Sequence, residues 1–61
     1  MEEINEYYRM KELIEELEQD VLKFYENDNK SAGTRCSLAM RELRQLSITF
    51  RRKVLKRRKQ F

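Results

Sequence analysis

The chain has 61 residues, 41% of them charged, with one glycine, one cysteine and neither histidine nor proline, which allows one small domain with a marginal core. Without histidine or a second cysteine, a structural zinc site and an internal disulfide are both excluded. No run approaches the roughly 20 apolar residues that cross a bilayer, and the acidic start MEEINEYY is unlike a signal peptide, so a cytoplasmic protein with no membrane partner is expected.

The net charge of +3 conceals a division. Residues 1–30 carry ten acids and four bases; residues 31–61 carry ten bases and one acid, Glu42. In the acidic half, Tyr7, Met10, Ile14, Leu17, Val21 and Phe24 recur at steps of three and four, with charged residues at most other positions. Nothing alternates with period two. The pattern predicts an amphipathic helix over about residues 2–26.

A turn is expected at about residues 27–29, the stretch Asn27-Asp28-Asn29. Asn27 suits the left-handed conformation that closes a helix, and Asp28 or Asn29 can cap the next one. The stretch NKSAGTR (29–35) then opens the second helix, its small side chains allowing the first helix to approach closely. It lacks the G-x-x-x-x-G-K-[ST] spacing of a phosphate-binding loop, and no strand precedes it. Lys30 and Arg35 are nonetheless candidate phosphate contacts near a helix N-terminus.

In the basic half, Cys36, Ala39, Leu43, Leu46 and Phe50 repeat the spacing, widened by Met40 and Val54, and predict a helix over about 30–58. So short a connection makes the helices antiparallel neighbours. The expected fold is therefore all-α, a single two-helix hairpin over 1–61. Apolar residues off the two seams (Tyr8, Leu13, Leu22, Leu38, Ile48 and Leu55) would remain wet in a lone hairpin. Dimerisation into a four-helix bundle is expected to cover them.

No catalytic arrangement is visible. Glu12, Glu15, Glu16 and Glu18 lack the Glu-x-x-His pairs of di-iron bundles, and Cys36 has no base beside it. A non-enzyme without cofactor or metal is expected. The strongest signal is RRKVLKRRKQF, the basic end at 51–61. Arg51, Arg52, Lys53, Lys56, Arg57, Arg58 and Lys59 surround the helix, and Arg41 and Arg44 extend the charge upstream. Three or four cations would complement a helix C-terminus; seven in nine residues point to phosphates. With few interleaved aromatics and no short recognition helix, the expected partner is duplex DNA, contacted at its backbone without sequence preference, with RNA as an open alternative. The competing reading is a protein-interaction module that docks through Leu38, Ile48 and Leu55.

The order Asn29, Lys30, Ala32, Gly33, Thr34, Arg35, followed by Ala39, Glu42–Leu43, Leu46 and Phe50-Arg51-Arg52, resembles the bacterial histone H1-like proteins of the Hc1 type. The likeness covers about residues 29–52. It implies a nucleoid-associated DNA-binding protein involved in chromosome compaction, with Lys30, Arg35, Arg51 and Arg52 as matched basic positions. Cys36, Ser37 and Leu38 stand where the family tends to keep further basic residues.

Overall fold

A computed structural model describes residues 4–60 as two α-helices, α1 (Asn5–Asn27) and α2 (Lys30–Arg58), with no strand among the described residues. The expected beginning of the first helix at residues 2 and 3, and Phe61 of the basic end, lie outside the described residues. The helices run antiparallel, from the Phe24–Gly33 contact beside the corner to a Glu6–Lys53 ion pair of 2.8 Å near the open end. They form a rod of 49 × 17 × 14 Å.

The corner is built from three polar residues in distinct roles. Asn27 is the last residue of α1, and Asp28 rather than Asn27 takes the left-handed conformation, at φ 53° and ψ 34°. Helix α1 runs one residue further than the sequence suggested. The left-handed step therefore falls on Asp28, another of the few residue types that tolerate it. The amides of Asp28 and Asn29 both donate back to the Lys23 carbonyl, which closes α1. Asn29 then caps α2: its side-chain oxygen accepts from the Ala32 amide at 3.1 Å.

Small residues let the helices meet just beyond the corner. Ala32 is completely buried, and a Cβ at Gly33 would lie 2.7 Å from both Cδ1 and Cε1 of the Phe24 ring. Gly33 thus trades helix propensity for this close approach. Accordingly, Gly33→Ala is expected to stabilise a Phe24→Ala background by roughly 0.5–1 kcal/mol, the ordinary helix gain. In the native background the displaced ring should offset that gain. Thermal unfolding of the four proteins of this cycle measures the coupling, and a value near zero would contradict the contact.

The apolar contact is narrow and its phase on α1 differs from the expected seam. Leu13 and Leu17 are buried, whereas Ile14, expected on the seam, is 58% exposed and Tyr7 is 48% exposed. The contact positions run Glu6, Met10, Leu13, Leu17, Asp20 and Phe24, so α1 is turned by a fraction of a residue towards its acidic side. This phase buries Leu13 and also brings two ion pairs together. Glu6 and Asp20, placed at the edge of the contact, reach Lys53 and Arg35 of α2. The α2 positions Cys36, Ala39, Leu43, Leu46 and Phe50 are all partly buried. Besides Leu13, Leu17 and Ala32, no described apolar residue is fully buried.

Candidate nucleic-acid interface

The ion pairs sort the basic residues of α2 into two groups. Arg35 bonds Asp20 at 2.9 Å and Lys53 bonds Glu6 at 2.8 Å, so both are held against α1. The Lys53 hydrogen bond is the main cause that pulls the Glu6 carboxyl below its ordinary pKa, and Arg35 does the same to Asp20. Partial desolvation opposes both shifts. The exchange is reciprocal at Arg35, whose pKa the Asp20 hydrogen bond raises.

A third bridge has a different consequence. Arg9 of α1 reaches Glu42 of α2 at 3.1 Å and Glu12 at 3.3 Å, with Glu16 at 4.0 Å. Glu42 is the one acid of α2. Its attachment to Arg9 turns the only carboxylate of that helix towards α1 and away from the opposite side.

On that opposite side the cations accumulate. Steps of three and four residues align Arg41, Arg44, Ile48, Arg52, Leu55 and Lys59, about 27 Å of helix at 1.5 Å per residue. Arg51 and Arg58 flank this line on one side and Lys56 on the other. All of these cations are exposed, as are Lys30 and Arg57. Lys30 stands apart: it begins α2, some 40 Å along the helix from Arg58. The last turn, with Lys56, Arg57 and Arg58, also complements the negative end of the helix dipole.

Of the eleven basic residues singled out from the sequence, the structure therefore gathers Arg41, Arg44, Arg51, Arg52, Lys56, Arg58 and Lys59 along or around the outer part of α2, and places Arg57 beside Ile4, Phe50 and Lys53 at the open end of the seam. Lys30 is left at the far end, and Arg35 and Lys53 face α1. The periodicity of the cations alone does not reveal the last two. The available signal was on the other helix: Glu6 and Asp20 are fourteen residues apart, four turns of one edge, and each has a cation opposite. The residues of the alternative docking stripe do not share a side. Leu38 lies in a groove with Glu16, Asp20, Arg35 and Glu42, whereas Ile48 sits among the outward arginines.

The described residues contain no group of three or more potential metal ligands, and no described helix is long and apolar enough to cross a membrane. No curated protein and no solved structure matches the chain significantly. The family model of histone H1-like protein Hc1, however, matches residues 4–60, nearly the whole length. By that match, which extends over both helices, the chain belongs to the family of histone H1-like protein Hc1.

Proposed function

We propose that the protein binds duplex DNA in the bacterial nucleoid without sequence preference, contacting phosphates through the outer side of α2 and its basic end. Family membership suggests the nucleoid DNA-binding role. The phosphate-contact reading rests chiefly on the placement of Glu42. With the single acid of α2 bridged to Arg9, the side from Arg41 to Lys59 carries cations and no carboxylate. A surface of one sign attracts a polyanion and releases its counterions.

The geometry offers little for reading bases. The cations lie along one long helix and around its end, where arginine and lysine can follow phosphates. Arg35 and Lys53, occupied by α1, contribute to the fold. No catalytic step is assigned to any residue. In this reading the hairpins act in pairs, as a four-helix bundle, because ten large apolar side chains among the described residues of each remain exposed.

Two duplexes of equal length and unrelated sequence should bind with dissociation constants within about threefold of each other. Proteins that read base edges lose roughly 1–3 kcal/mol per mismatched pair, so a hundredfold preference would contradict the proposal. Competition with unlabelled duplex makes the comparison.

A further inference from the structure

The two broad sides of the hairpin differ in kind. On one lie Arg9, Glu16, Asp20, Arg35 and Glu42, joined by ion pairs. Tyr7, Ile14 and Val21 stand two positions from Arg9, Glu16 and Lys23, about 200° around α1. Met40, Ser47 and Val54 stand in the same relation to Glu42 and Thr49 on α2. Contacts across the seam join these two rows on the side away from the ion pairs. The Tyr7 and Phe50 rings are 6.2 Å apart, and the Ser47 hydroxyl donates to the Met10 sulfur at 3.4 Å.

This second side is apolar and open. Tyr7, Ile14, Met40 and Val54 are each more than 40% exposed, and Phe50 only partly covered. The rows Tyr7–Val21 and Met40–Val54 each run about 21 Å along their helices, on a rod 17 Å wide. The occupant of this face is indicated by charge. Helix α1 carries seven acids and three bases, and α2 ten bases and one acid. When two copies meet through this face, a twofold axis across the helices stacks α1 on α1 and α2 on α2. An axis along the helices stacks each α1 on the partner's α2, still antiparallel. The first arrangement sets like charges together and the second sets opposite charges together.

We infer that a second copy of this chain seats on the face formed by Tyr7, Ile14, Val21, Met40, Phe50 and Val54, with the twofold axis parallel to the helices. Both basic ends then emerge at the same end of the bundle. The inference rests on the paired-hairpin reading above and adds the face and the symmetry, which that reading leaves open. The ionic side and the line from Arg41 to Lys59 stay in solvent, Arg51 and Arg58, in phase with Met40, border the face towards its basic end, and the two copies present one continuous cationic pole.

The test places a spin label at residue 59 (Lys59→Cys in a Cys36→Ser chain) and measures the label–label distance by pulsed EPR. Two diagonal helices about 14 Å apart put the labels within roughly 25 Å of each other, given helix spacings of 8–10 Å. Stacking with the axis across the helices separates them by about 45 Å, since residue 59 lies some 22 Å from the middle of α2. A short distance supports the inference; a long one overturns it while leaving a paired hairpin intact. A monomer by sedimentation, with no dipolar signal, overturns both. Met40→Glu and Ile14→Glu, at exposed positions, are expected to give helical monomers, whereas Leu38→Glu on the ionic side should remain paired. The reverse pattern would place the interface on the other side.

Discussion

Replacing Arg41, Arg44, Arg52 and Arg58 together with glutamine is expected to weaken binding to every duplex by roughly two to three orders of magnitude at low salt, on the order of 1 kcal/mol per lost phosphate contact. Because each contact contributes about 0.9 to the dependence of log K on log salt, the slope should become shallower by about 3.6. All four side chains are exposed, and glutamine is nearly as good a helix former as arginine, so helicity should be unchanged. The comparison that gives the result meaning is Arg35→Gln. Arg35 is held by Asp20 at 2.9 Å, so its loss should reduce stability more than it reduces the salt slope. Equal changes in slope per residue at the two places would show that the ion pairs do not partition the cations. A loss confined to one DNA sequence would contradict phosphate recognition.

The second large effect concerns the fold. Leu13 and Leu17 are the large side chains that the described hairpin buries, at 6% and 7% exposure. A chain of this size has a stability of roughly 3–9 kcal/mol at 0.05–0.15 per residue. Leu17→Ala, by removing buried methyl groups and leaving a void, is expected to cost about 2–5 kcal/mol. Most of the stability should therefore go, and the protein should unfold at a much lower urea concentration in circular dichroism. A cost below about 1 kcal/mol would mean that the contact between α1 and α2 is not where the hairpin's stability lies. Comparison at one protein concentration is essential, since self-association adds stability by mass action.

The helices, their antiparallel relation and the close approach at Gly33 were legible because each has a local signature: apolar steps of three and four, a polar corner and a lone glycine. The phase of α1 was less so. Met10, Leu17 and Phe24 belong equally to the apolar stripe seen in the sequence and to the contact found in the structure; Ile14 and Leu13 decide between them. Periodicity reports every surface that becomes apolar, whether it faces α2 or something else. Glu6 and Asp20 at the contact edge look like ordinary solvated carboxylates until Lys53 and Arg35 are placed opposite them.

The candidate site divides in the same way. The run from Arg51 to Lys59 announces itself by composition. That Glu42 is turned to Arg9, leaving the outer side of α2 without a carboxylate, depends on a pairing across 33 residues. Such long-range electrostatics leave no period in the sequence. Ile48 and Leu38, which look alike in composition, are separated by the same geometry, one among arginines and the other beside the ion pairs.

In the proposed function, the basic side of α2 meets phosphates. The most direct test of that contact is the fluorescence anisotropy of a labelled random-sequence duplex, titrated with the protein between about 50 and 200 mM salt, where phosphate-driven binding changes steeply. Tight binding at the lower concentration is expected, with log K falling against log salt at a slope near −4.5 for about five phosphates per chain. Failure to bind at 50 mM, or an affinity indifferent to salt, would contradict the account.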